Sequence, residues 1–263
     1  MSKILSTLLL LAGCLSAFAQ NDFCNTANRV VRAGEKLNFK VYYNLSAVWV
    51  AAGEANFTTK QETLNGRSVF HITGDGQTYK SYDWIYRVRD KYETFIDAET
   101  MLPLKFIRDV SEGATKFKHL VTFDRQKNKA FAQNKTFTVP ECVQDVLSAI
   151  YYARSIDYNK YPTGAKIPFS MFLDDEVHNL FIRYLGKEKI TTKYGTFNAI
   201  KISPLLINGT LFKGGEGMFV WVSDDKNHVP VRIESPIVVG SVKVDLIGYA
   251  NLRNAFTGLV KKN

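Results

Sequence analysis

Polar and apolar residues alternate with a period of two along most of this chain. Leu37, Phe39, Val41 and Tyr43 interleave with Lys36, Asn38, Lys40 and Tyr42, the pattern of a strand with one buried face. Val48-Trp49-Val50 leads to Gly53, and a further strand runs from Glu54 towards Thr63. Asn65-Gly66 follows, the dipeptide suited to a tight hairpin because both central residues need positive φ. Val69 to Thr73 forms the return. Tyr79 to Tyr86 is aromatic and fits neither period. Tyr92–Ile96, Leu102–Arg108, Lys116–Phe123 and Ala130–Val139 read as strands between turn-forming clusters.

The period changes once. Val143, Val146, Leu147, Ile150 and Ala153 recur at helical spacing, which predicts one amphipathic helix over 140–158. Thr138-x-x-Glu141 offers a capping box, with Pro140 tolerated in the first turn. Asp145 near the start and Arg154 near the end complement the helix dipole. The apolar stripe should pack on a sheet and turn Gln144, Ser148, Tyr151 and Tyr152 towards solvent or a cavity.

Both sides of this helix carry related sequence. Gly34-Glu-Lys-Leu-Asn-Phe39 matches Gly164-Ala-Lys-Ile-Pro-Phe169, and Gly53-Glu-Ala-Asn-Phe-Thr-Thr-Lys60 matches Gly186-Lys-Glu-Lys-Ile-Thr-Thr-Lys193. Asp97 and Pro103-Leu-Lys-Phe106 match Asp224 and Pro230-Val-Arg-Ile233. The matches keep one order at similar offsets, the signature of an internal duplication. In the third, the aspartate accepts backbone N–H groups in the turn, and proline opens the returning strand. The expected fold is mainly β: two tandem antiparallel units, forming a curved sheet or an open or split barrel, with the helix between them. The boundaries are 34–139 for the first unit, 140–158 for the helix and 159–263 for the second. Residues 34–263 are expected to make one compact domain.

The N-terminus changes the compartment. Lys3, the apolar run Ile4–Leu15 and Ala17-Phe18-Ala19 make 1–19 a secretory signal peptide, followed by a polar lead over 20–33. Leu11-Ala12-Gly13-Cys14 also matches the box at which bacterial processing attaches lipid to cysteine. Against it, Leu15, Ala17 and Phe18 are apolar where a lipoprotein tether is usually polar. The expected location is the periplasm or the outer membrane, with an anchor at Cys14 as the second option. No other run reaches the apolar length of a membrane-spanning helix. After processing, Cys24 and Cys142 remain, a plausible disulfide in an exported chain; the alternative is a buried thiol and a free one. The formal charge of +9 is spread without a Lys/Arg run, so it argues against a nucleic-acid partner and for anionic headgroups or acidic glycans.

Candidate chemistry is sparse. Ser148 and Ser68 lack the small-x-Ser-x-small elbow of a hydrolase. His71, His119, His178 and His228 are scattered, and no spacing suits a metal, so no cofactor or metal is expected. Asp174-Asp175-Glu176 falls between two strands and reads as a solvated hairpin turn. Lys213-Gly-Gly-Glu-Gly217 lacks the ending of a phosphate loop. Trp49, Trp84, Trp221, Tyr151 and Tyr152 could line an apolar or sugar-stacking groove or be core or edge aromatics. Trp49, Trp221, Tyr151, Tyr152 and Arg154 are the candidate ligand-binding residues, the last three because a singular helix is well placed to floor a curved sheet.

Gly34-Glu-Lys-Leu37, Ile96-Asp-Ala-Glu-Thr-Met-Leu-Pro103, Asp145-Val-Leu-Ser-Ala-Ile-Tyr-Tyr-Ala-Arg154, Tyr194-Gly-Thr-Phe-Asn-Ala-Ile-Lys201 and Val220-Trp-Val-Ser-Asp-Asp225 resemble a family of exported bacterial proteins, domain of unknown function 3108. The resemblance spans nearly the whole mature chain and implies no activity or site residues. In style the chain is also similar, more weakly, to the half-barrel carriers that shuttle lipoproteins. The expected function is a non-catalytic envelope protein binding a lipid, lipoprotein or glycolipid in the concave sheet. The alternatives are a structural or assembly module acting on an envelope protein partner, and an enzyme acting on envelope glycans.

Overall fold

The computed structural model describes residues 28–45, 48–208 and 214–263. The expected signal peptide, with Cys14, and Cys24 lie outside the described residues. The first unit contains β1 (Lys36–Leu45), β2 (Val48–Leu64), β3 (Arg67–Thr78), β4 (Arg89–Asp97), β5 (Pro103–Glu112), β6 (Thr115–Asp124), β7 (Lys129–Ala132) and β8 (Lys135–Thr138). Helix α1 (Val146–Ser155) follows. The second unit contains β9 (Lys166–Leu173), β10 (Glu176–Thr191), β11 (Gly195–Pro204), β12 (Phe219–Ser223), β13 (Pro230–Pro236), β14 (Ser241–Ala250) and β15 (Leu259–Lys262).

All these strands belong to one antiparallel sheet, ordered β8-β7-β6-β5-β4-β3-β2-β1-β14-β13-β12-β11-β10-β9, with β15 paired to β11. The duplication is therefore visible as topology. Strands β1 to β8 form a meander, β9 to β14 form a second, and β1 pairs with β14 to join them. The matched glycines precede matched strands: Gly34 before β1 and Gly164 before β9 both have positive φ, 83° and 91°, which L side chains avoid. Pro103 opens β5 and Pro230 opens β13, where a missing N–H is tolerated. The turn aspartate is displaced in the second copy. Asp97 Oδ1 accepts from the Glu99 and Thr100 amides, whereas Asp225, not Asp224, accepts from the Asn227 amide; Asp224 instead pairs with Lys187 at 3.0 Å.

Two expectations need correction. Ala130–Val139 is a short hairpin, because Gln133 and Asn134 adopt positive φ (47° and 63°) and reverse the chain between β7 and β8. The helix is shorter than 140–158. Thr138 ends β8, and Gln144 is extended because its backbone pairs with β9: its N–H donates to Ser170 O at 2.9 Å and its carbonyl accepts from the Phe172 N–H at 2.8 Å. The cap is Asp145, whose carboxylate accepts from the Ser148 amide while the Ser148 hydroxyl accepts from the Asp145 amide. This is a capping box about two turns later than Thr138-x-x-Glu141.

The curved sheet is not closed by strand pairing. Along the open seam, β9 forms no ladder with β8 among the described residues; it bridges to the extended segment before α1 at Gln144↔Met171, and its Phe172 packs on Phe123 and Phe137. The helix fills the concavity so completely that no residue from Cys142 to Ile156 is exposed. Leu147 and Val143 pack with Phe106, Phe123 and Phe172; Tyr151 packs with Ile72 and Ile96; Tyr152 and Ile156 pack with Ile182, Ile200 and Val222. Gln144, Ser148, Tyr151 and Tyr152, expected towards solvent or a cavity, are buried. A helix wrapped by sheet has no wet face, so its polar groups must find partners inside.

Candidate functional site

The sequence-predicted residues fall on opposite faces of the sheet. Arg154 and Tyr151 are each only 1% exposed. The Arg154 guanidinium makes a bidentate pair with Glu35 at 2.7 and 2.8 Å, donates to Asn227 O at 3.1 Å and lies 4.9 Å from the Tyr151 ring centre. Burial pushes the Tyr151 phenol upward. Tyr151, Tyr152 and Arg154 thus tie the helix to β1 and the β12–β13 turn, and in this conformation no ligand reaches them. Cys142, just ahead of the helix, is disulfide-bonded; Cys24, its expected partner, lies outside the described residues.

Trp49 and Trp221 belong to the other face. Residues of β1 alternate: Phe39 stacks edge-on with Phe57, which lies against Gly74 beside Leu147 of the helix, so Lys40 and Tyr42 point away from α1. The register Tyr42↔Lys243, Lys40↔Asp245, Arg232↔Asp245 and Trp221↔Arg232 continues this face across β14, β13 and β12. Trp221 is buried there, donating through its indole to Glu188. The β10–β11 turn reaches this face and closes a groove of about 430 Å³ between Tyr42, Trp49, Lys193, Arg232, Lys243 and Asp245. Arg232 grips Asp245 at 2.7 and 2.8 Å. Lys243 lies 4.4 Å from the Trp49 ring centre and 5.3 Å from that of Tyr42, with Lys193 at 5.4 Å from Tyr42. Burial, then Asp245, raises the Tyr42 phenol.

A third feature escaped the sequence reading. Because neighbours along the sheet are antiparallel throughout, the turns β1–β2, β3–β4, β5–β6, β9–β10, β11–β12 and β13–β14 share one end of the molecule. That rim is apolar. Trp84 is 82% exposed, Val48 66% and Val239 64%, with Ile85, Tyr86 and Val238 also exposed. The segment is held in place: Asp83 accepts from Arg89 at 2.7 Å and from Thr78 at 2.8 Å, and the Tyr79 amide donates to Ala52 O. The Trp84 indole N–H is satisfied by Ser81 O at 3.0 Å, so the ring shows solvent only hydrocarbon. The Tyr43 hydroxyl donates to Val239 O at 3.1 Å, joining the β13–β14 turn to β1. Lys80, Arg87 and Lys116 are exposed at the same end, without an ion-pair partner among the described residues.

Just inside the rim, the concave side of β4–β6 carries a polar cluster. Asp174 and Asp175 form the β9–β10 turn with φ of 51° and 63°, as expected, but they are not simply solvated. Asp174 pairs with Arg108, and Asp175 with His119 Nε2 at 3.1 Å. Burial pushes the Asp90 carboxyl up to about 6, with adjacent Glu112 adding to it, and the Tyr92 phenol up to about 12. The turn of the second unit thus latches onto the first across the open seam. Among the described residues no group of His, Cys, Asp and Glu could hold a metal ion, and no helix is long and apolar enough to cross a membrane.

Comparison with known proteins places this geometry. The family described as Protein of unknown function (DUF3108) matches residues 38–247. No curated protein matches. Among solved structures, a beta-barrel-like protein of domain of unknown function DUF1849 from Brucella abortus is similar at a TM-score of 0.53 and 7% identity, covering 85% of this chain and 99% of that one. The likeness is one of fold alone. A provisionally assigned lipoprotein from Parabacteroides distasonis is similar at a TM-score of 0.36 and 12% identity, covering 87% and 98%.

Proposed function

The chain belongs to the DUF3108 family, and we propose that it is a non-catalytic binding protein of the cell envelope whose ligand is lipid, met at the apolar rim. The observation that carries this reading is the run Trp84-Ile85-Tyr86 with Val48, Val238 and Val239, exposed together at one end of the sheet. An edge exposing several large apolar side chains, with Lys80, Arg87 and Lys116 at the same end, is costly in water and suits a membrane interface, where aromatic rings sit at headgroup level and cations meet anionic lipid. Fully burying one such large side chain contributes about 1.5–3 kcal/mol, so partial insertion of several gives useful reversible affinity. The concave face expected to hold the ligand is occupied by α1, which moves the lipid contact to the rim.

The alternative of a glycan-acting enzyme has Asp90 and Glu112 as a candidate carboxyl pair. They are in direct hydrogen-bond contact, closer than the roughly 5–9.5 Å separation such catalysis uses, which favours the non-catalytic reading. The alternative of an envelope protein partner has the upper half of β6, whose outer edge is unpaired from Thr115 to Leu120 among the described residues. Lys116 and Lys118 on that edge are the usual guard against strand addition.

Vesicle flotation tests the proposal. The wild-type protein should float with phospholipid vesicles, and Trp84→Ser with Ile85→Ser should weaken partitioning at least about tenfold without altering thermal unfolding. Equal flotation of both proteins would remove the rim from the account.

A further inference from the structure

We propose that the groove between Tyr42, Trp49, Lys193 and Lys243 is a site for the phosphate of a lipid headgroup, an inference that rests on the lipid reading of the rim. The groove lining carries three cations, Lys193, Arg232 and Lys243, against one acidic side chain, Asp245, and the backbone carboxylate of Asn263. The Asp245 carboxylate is spent on Arg232 through two hydrogen bonds. Neither Lys193 nor Lys243 has a carboxylate within ion-pair distance among the described residues. Both ammonium groups nevertheless converge on a single aromatic ring, within 5.4 Å of the Tyr42 centre. Two like charges gathered on one buried ring, in a recess walled by a half-exposed tryptophan, form a place where an anion relieves repulsion. A phosphate offers oxygens to both lysines at once.

Position in the fold selects the source of that phosphate. Lys243 is three residues along β14 from Gly240 at the β13–β14 turn, about 10 Å below the rim at the rise of a β-strand. An apolar edge seated at the boundary of headgroups and acyl chains, some 5–10 Å deep, would hold the groove level with lipid phosphates. Trp49 follows the exposed Val48 directly and makes the groove continuous with the rim. A free phosphate ester would not need that continuity.

The test measures partitioning onto phosphatidylcholine vesicles with and without phosphatidylglycerol. The wild-type protein should prefer the anionic vesicles. The pair Lys193→Gln and Lys243→Gln should lose about fivefold per lysine, about 25-fold together, on the anionic vesicles, and clearly less on phosphatidylcholine alone, whose choline offsets its phosphate charge. Lys193→Arg with Lys243→Arg should keep the preference, and Lys160→Gln with Lys226→Gln, at the opposite end, should leave it within about twofold. A preference unchanged in the glutamine pair, or equally reduced in the distant pair, overturns the headgroup site alone. Displacement by millimolar glycerol phosphate would overturn it in favour of a free phosphate ester. A wild-type protein that binds neither vesicle overturns the rim reading and this one with it.

Discussion

At the scale of single residues, the fold rests on charges taken out of water and matched. Glu35 and Arg154 are both buried and bond bidentately, so removing either leaves an uncompensated charge. Arg154→Met is expected to cost about 3–5 kcal/mol, and adding Glu35→Leu should restore most of it; urea unfolding of the single and double variants checks this. The sequence showed Arg154 as a cation near a helix end but could not show its partner, which is distant in the chain. Asp145 supplies a pH dependence. Burial pushes its carboxyl up to about 6 against the hydrogen bonds from Thr94 and Ser148, while the unfolded chain releases that proton near 3.9. Between those values the folded state holds the extra proton, so this group's contribution to stability falls as pH rises from about 4 to 6, by about 3 kcal/mol. Asp145→Asn keeps a capping oxygen and should flatten that stretch of the stability profile measured by denaturation at successive pH values. A profile unchanged by the substitution would assign the dependence elsewhere.

Among the elements, the strands were legible and the helix only in part. Period-two alternation located β1 to β6 because each presents one face to α1 and one to solvent, and Asn65-Gly66 makes the turn its φ values of 50° and 78° require. The helix start was misplaced because Thr138-x-x-Glu141 is a valid local cap, overridden by the pairing of Gln144 with β9. The surroundings of its polar side, solvent or cavity, stayed open because periodicity tells which side is apolar, not whether the other side is also enclosed. The β9–β10 turn hid its role for the same reason: Asp174 and Asp175 look like ordinary turn residues until the fold brings Arg108 and His119 opposite. This turn is one of few links across the open seam. Replacing Asp174-Asp175 by Asn-Gly keeps the turn geometry and removes the Arg108 ion pair and the His119 contact. Hydrogen exchange should then speed up in β9 and the upper half of β6, with a global loss of no more than about 1 kcal/mol, as for partly exposed pairs. Exchange unchanged in those strands would show that the latch carries no weight.

For the whole molecule, duplication explains both the architecture and the surface. Meanders of eight and six strands joined at β1–β14 place nearly all odd-numbered turns at one end, so residues remote in sequence, Val48, Trp84 and Val239, lie at the same end. No local pattern announces such a rim, which is why Tyr79–Tyr86 was ambiguous in the sequence, whereas Trp49 could be singled out as a lone aromatic and was found in the groove beneath it. The filled concavity removes the interior as a ligand chamber in this conformation and leaves the rim as the surface that water serves worst. The most direct test is the depth of Trp84 in a bilayer, read by fluorescence quenching with lipids brominated along the acyl chain, in a variant whose only tryptophan is Trp84. The account predicts strong quenching that deepens near the headgroup boundary and is absent when Trp221 is the only tryptophan. Vesicle-bound protein whose Trp84 emission is untouched by the brominated lipids would contradict it.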